Sequence, residues 1–131
     1  MPDVATVLNA KAAISRHVQW KITLQMAITM QEPLSADHLH QIRHFRECAI
    51  GRWLDSPVTI SMRATSEYAD LVRKHIEFHR EMERVAELIA QAEYELAARA
   101  ISPASAFIRG SKALANAVMA YDGVAAIAVP V

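Results

Sequence analysis

Apolar residues follow a helical pattern from the start of the chain. From a capping Asp3 to about Gln31 they recur near the 3.6-residue period, and Pro33 then disfavours further helix. The apolar positions are Val4, Val7, Leu8, Val18, Ile22, Met26 and Met30. The pattern therefore predicts a first long helix with His17 near its middle.

A second helical stretch begins after Ser35 or Asp37, either of which can cap it. It carries Cys48, is interrupted by Gly51, and ends at Asp55-Ser56-Pro57. The pattern predicts one helix that contains the cysteine.

The second half of the chain contains one segment without a clear helical pattern, followed by two segments with one. Residues 58–65 are rich in β-branched side chains, which indicates a loop or a short irregular helix. Residues 66–99 combine an apolar stripe with alternating surface charges, as expected of a long helix. A last helix is predicted to begin at Ser102-Pro103, run to about Tyr121 and close at Gly123.

Three long helices and a shorter one predict an all-α fold, an antiparallel four-helix bundle with an additional short helix. The length of 131 residues fits a single domain spanning residues 1–131. The apolar fraction of 53% with three glycines suits closely packed helices.

Composition narrows the classes of partner. Fourteen basic and 14 acidic residues give a formal net charge of zero, which argues against nucleic-acid binding. We see neither a signal peptide nor an apolar run long enough for a membrane span, so we expect a cytoplasmic protein. Neutrality and the apolar segment 124–131 favour self-association, and we expect a homodimer.

Four residues carry the candidate chemistry, and together they predict a metal site. His75 and His79 stand four positions apart, so both imidazoles lie on one helix face. Cys48, the only cysteine, and His17 lie on other predicted helices, and a bundle interior allows all four to meet. Zn(II) prefers a tetrahedral shell of imidazole nitrogen and thiolate sulfur, which three histidines and one cysteine would fill.

The residues around these four resemble a known family. His17 is followed by Trp20, Cys48 opens a Cys-x-x-Gly-x-Trp block that ends at Trp53, and His75-x-x-x-His79 follows in the same order. This pattern is similar to the chemoreceptor zinc-binding domain, CZB. The resemblance implies a helical bundle with a three-His, one-Cys zinc site that senses zinc availability or oxidants. It further implies a chemoreceptor or diguanylate cyclase partner, which this chain would address in trans.

Two other functions are possible for such a set of residues. A zinc-dependent hydrolase or lyase would need one open coordination position, but His75-Ile-Glu-Phe-His79 places Glu77 one residue too late for the His-Glu-x-x-His motif. The other possibility is a haem or di-iron bundle. Di-iron sites use Glu-x-x-His spacing, which this sequence lacks because no histidine stands three residues after Glu77. We therefore expect no enzymatic activity.

Residues near the four candidates have their own predicted roles. Trp20 and Trp53 are expected to pack in the core beside the site. Carboxylates that could orient the imidazoles are Asp70, Glu77 and Glu47. The remaining histidines, His38, His40 and His44, are expected on a solvated helix surface, although the last two have metal-compatible spacing. Zinc affinity is expected to fall below about pH 6 as imidazoles protonate.

Overall fold

The chain folds as an all-α helical bundle, which confirms the predicted fold class. A computed structural model of the protein describes residues 10–128, with side chains from 12 to 125. The helices are α1 Ala10–Met30, α2 Ala36–Arg43, α3 Ala49–Leu54, a 3₁₀ helix Pro57–Met62, α4 Ser66–Ala90, α5 Tyr94–Ala100 and α6 Ala106–Ala128. The predicted cap Asp3, the apolar Val4, Val7 and Leu8, and the last three residues lie outside this range.

The core lies between the long helices. Helix α4 packs most extensively against α6, and α1 contacts both of them. The largest fully buried side chains are Phe78, Phe107, Leu24, Ile42, Ile50, Leu71, Met82, Ile89 and Leu114. Within the described helices none has both the length and the apolar character of a membrane span.

Helix α1 buries a different face from the one predicted. Its buried residues are Ala13, His17, Trp20, Leu24 and Ile28, whereas Val18, Ile22, Met26 and Met30 are exposed by 50–60%. Both faces of α1 carry apolar side chains at helical spacing, so periodicity alone cannot choose between them. Packing buries the face that carries the large indole of Trp20 together with His17.

The predicted helix over residues 66–99 is broken after Ala90. Ala92 takes a left-handed conformation with φ 58°, and the Glu93 N–H donates to the Leu88 carbonyl at 2.9 Å. This is a Schellman ending, which normally carries glycine at the left-handed position. Because alanine stands there, the sequence shows no stop signal and the break was not predicted.

The last helix starts later and ends later than predicted. Ser105, rather than Ser102, caps α6 by accepting the Ile108 N–H at 3.2 Å, so Pro103 lies in the preceding turn. Gly123 is exposed inside the helix, which continues to Ala128. One glycine costs a helix only about 1 kcal/mol, and the rest of α6 tolerates it. The segment after Pro57 is a short 3₁₀ helix, as one of the two predicted alternatives had it.

Candidate metal centre

Cys48 lies at a helix start, whereas the sequence predicted it inside a helix. Helix α2 ends at Arg43, and after a turn Cys48 becomes the N-cap of α3. Its Sγ accepts the Gly51 N–H at 3.3 Å. A Cβ on Gly51 would lie 2.0 Å from the Phe45 carbonyl oxygen, so only glycine lets the turn fold back this closely. The Cys-x-x-Gly spacing is thus the means by which the thiol is aimed inward.

The structure brings the four candidate residues together. His17 on α1 and the pair His75 and His79 on α4 place one ring nitrogen each within 4.8 Å of one another, and all three rings are buried. The Cys48 Sγ lies 3.1 Å from the His75 Nε2. Three nitrogen donors and one sulfur therefore converge from α1, α4 and the start of α3.

Main-chain carbonyls orient two of the imidazoles. The His17 Nδ1 lies 3.3 Å from the Ala13 carbonyl, and the His79 Nδ1 lies 3.0 Å from the Ile42 carbonyl. A carbonyl can only accept, so each Nδ1 carries the proton and each Nε2 is left as a free acceptor. Among the last residues of α2, Ile42 has a carbonyl with no partner inside its own helix. Because the sequence predicted an unbroken helix there, this acceptor was missed.

The predicted carboxylate acceptors point elsewhere. Asp70 pairs with Arg73, Glu77 lies 3.9 Å from Lys74, and Glu47 contacts His40. All three lie on the surface, and none has a hydrogen bond to the buried rings. The prediction that these side chains orient the imidazoles is therefore wrong.

Two nitrogen atoms in the centre have no hydrogen-bond partner among the described residues. They are the Nε2 atoms of His17 and His79, both fully buried. A buried polar atom without a partner costs about 1–3 kcal/mol. A metal ion bound by these nitrogens would remove that penalty, so the donor set fits a soft or borderline divalent cation.

Burial sets the protonation of the four donors. It lowers the pKa of His17 to about 3 and that of His75 to about 2, with His79 adding to the second shift, and it lowers the pKa of His79. Burial also raises the pKa of the Cys48 thiol. The imidazoles are thus already in the neutral, metal-binding form, whereas the thiol must lose a proton to bind. The expected loss of affinity below pH 6 through imidazole protonation is contradicted by these shifts.

The two tryptophans are buried, as predicted. Trp53 packs edge-on against Tyr121 with ring centroids 5.3 Å apart. Trp20 lines a cavity of about 150 Å³ that also touches Cys48 and His17. Its lining also includes the exposed Arg16, so the cavity reaches from the centre to the surface.

Fold and centre together define an all-α metal-binding domain with a nitrogen and sulfur donor set. The sequence model of the chemoreceptor zinc-binding domain, CZB, matches residues 17–86, a span that starts at His17 and includes the other three donors. No curated protein and no solved structure gave a match. The match covers more than half of the chain, which therefore belongs to the CZB family of zinc-binding domains.

Proposed function

We propose that this domain is a non-enzymatic sensory module in which His17, Cys48, His75 and His79 bind a single Zn(II). The observation that carries the proposal is the pair of buried, unpartnered Nε2 atoms facing a third imidazole and a thiol. Four protein donors leave no open coordination position, which is typical of structural and sensing sites rather than hydrolytic ones. Glu77 lies on the surface beside Lys74, so it does not support the hydrolase reading.

The four ligands would tie separate elements together. His17 belongs to α1, Cys48 precedes α3, and the other two histidines belong to α4. Loss of the His17 bond would therefore uncouple α1 from the ion, and loss of the Cys48 bond would uncouple the start of α3, while α4 keeps two ligands. Such a release is the change that a partner protein can detect.

Cys48 is the residue through which an oxidant would act. When bound, zinc supplies the positive charge that favours the thiolate, which burial alone disfavours. The thiolate sulfur attacks one oxygen of hydrogen peroxide, an S–O bond forms, the O–O bond breaks, and hydroxide leaves. Sulfur is oxidised by two electrons and peroxide is reduced. With hypochlorous acid the sulfur would take the chlorine while hydroxide leaves, and water would then displace chloride to give the same sulfenic acid. The cavity beside Arg16 gives such small reagents a route to the sulfur.

Output in trans is the remaining part of the proposal. We infer a cytoplasmic homodimer that signals to a chemoreceptor or a diguanylate cyclase, as the family's association with chemoreceptors suggests. The exposed apolar face of α1, made by Val18, Ile22, Met26 and Met30, supports self-association, since water-exposed apolar patches mark interaction surfaces. Replacing Ile22 with Glu should convert a dimer to a monomer in analytical ultracentrifugation, whereas Gln25→Glu on the same helix should not.

The zinc site is tested by metal analysis of untagged protein and by cobalt substitution. We expect about one tightly bound zinc per chain and, with Co(II), a near-ultraviolet thiolate-to-metal absorption band. Cys48→Ala should lose the band and weaken binding, and peroxide should bleach the band of the wild-type protein. A protein that purifies without zinc and binds Co(II) without that band would refute the proposal.

A further inference from the structure

A second group of metal-binding side chains lies on the surface, outside the buried centre. His40 and His44 stand one turn apart at the end of α2, and their ring centroids are 4.3 Å apart. The carboxylate of Glu47 contacts the His40 Nε2 across the turn that leads to Cys48. All three side chains are exposed, so a hydrated ion can reach them directly.

We propose that His40, His44 and Glu47 form a second, exchangeable site for a divalent transition-metal ion. Two imidazoles one helical turn apart and one carboxylate are the donor set of open, three-ligand zinc sites. Imidazole nitrogen selects Zn(II), Ni(II) or Cu(II) over Mg(II) and Ca(II). In the structure the Glu47 carboxylate already contacts one imidazole, so two of the three donors are within reach of one ion.

The proposed surface site should bind a metal ion more weakly than the buried centre. Its three side chains are solvated and must give up rotational freedom to converge on one ion. Arg43 and Arg46 lie between His40 and Glu47 along the chain, and their positive charges oppose a cation. Water completes the coordination sphere, so exchange is fast compared with an ion enclosed by four protein ligands.

The position of this site links it to the buried centre. The segment it would bridge runs from His40 to Glu47. Within it lies the Ile42 carbonyl that orients His79, and directly after it comes Cys48. An ion bound at the surface site would therefore fix the main chain that orients His79 and leads to Cys48. The two sites would share no ligand.

Isothermal titration of the metal-free, untagged protein with Zn(II) and with Co(II) tests the proposal. We expect two equivalents, one tight and one weak, with the thiolate-to-cobalt band saturating after the first. The double variant H40Q/H44Q should keep the tight equivalent and lose the weak one, and E47Q should weaken the weak one by more than about tenfold, since even an outer partner of a ligand is typically worth 10- to 100-fold.

His38→Gln is the matched control, because it removes a histidine from the same helix outside the proposed set. The His38 ring packs edge-on against Trp20 near the buried centre, so the control concerns the weak equivalent, which it should leave unchanged. A single equivalent in the wild-type protein, or a weak equivalent that survives H40Q/H44Q, would overturn the second site while leaving the buried one intact. Loss of the tight equivalent and its thiolate band, with the weak one retained, would instead refute the proposed sensory site alone.

Discussion

Replacing His17 with Leu should make the metal-free protein more stable and the zinc-loaded protein less so. The wild-type Nε2 is buried without a partner, whereas leucine brings no polar atom. The side chain borders a cavity of about 170 Å³ whose walls include Ile14, Leu114 and Val118, so the slightly larger leucine fits without overpacking.

The magnitude follows from two opposing terms. Removing an unpartnered buried atom recovers about 1–3 kcal/mol, and losing the Nδ1 hydrogen bond to Ala13 costs about 1 kcal/mol. The Ala13 carbonyl keeps its ordinary helical partner, so it is not left unsatisfied. The net gain of about 0–2 kcal/mol corresponds to a rise in Tm of up to about 7 °C for a chain of this length.

The assay is thermal unfolding followed by circular dichroism, with EDTA and with excess zinc. In zinc, each tenfold loss of affinity caused by the missing ligand removes about 1.4 kcal/mol of stabilisation, or about 5 °C. The His17→Leu protein should therefore melt above the wild type in EDTA and below it in excess zinc. Gln19→Leu, an exposed change on the same helix, should shift both melts equally. A His17→Leu protein that melts below the wild type in EDTA would contradict the reasoning.

Four further outcomes are expected. Gly51→Ala should displace the Cys48 turn, weaken zinc binding by more than about tenfold and destabilise the fold by about 1–3 kcal/mol. Gly123→Ala meets nothing within 4 Å, so it should be neutral or slightly stabilising. Competition titrations measure the zinc affinity, and thermal melts measure the stability. Ser105→Ala should cost about 1 kcal/mol in denaturant unfolding, and Ser102→Ala much less, since only the first caps α6. In EDTA, stability should fall as pH drops from about 6.5 toward 3, because unfolded histidines bind protons that the buried ones, with pKa values lowered to about 3 and about 2 for two of them, do not. Zinc binding near neutral pH should release about one proton, from the Cys48 thiol with its raised pKa, and a Cys48→Ala protein should release none; equal release by both proteins would contradict this assignment.

The candidate metal donors could be identified from sequence because their chemistry is carried by residue type and spacing. His75 and His79 share a helix face wherever that helix begins or ends, so errors in its length do not affect the pair. The break at Ala92 could not be predicted, because a left-handed alanine carries no signal of its own. The buried face of α1 could not be predicted either. Both of its faces carry apolar side chains, and only packing against the other helices decides which one is buried.

The orientation of the imidazoles is the part least visible in the sequence. Residue spacing suggested charged side chains as their partners, whereas two main-chain oxygens hold them. The Ile42 oxygen became available through tertiary structure, because the end of α2 lies beside α4, whereas the Ala13 oxygen lies one turn before His17 in α1. A pattern of residue types contains no information on where a helix end will lie in space.

Dependence on main-chain oxygens makes the centre tolerant of one kind of change and sensitive to another. Every amino acid has a carbonyl, so substitution at Ala13 or Ile42 cannot delete the acceptor, and these positions are free to vary in size as packing allows. A slide of α2 along α4 by even one ångström would, by contrast, pull the acceptor away from the His79 ring. The geometry of the centre thus depends more on the position of α2 relative to α4 than on which side chains the neighbouring residues carry.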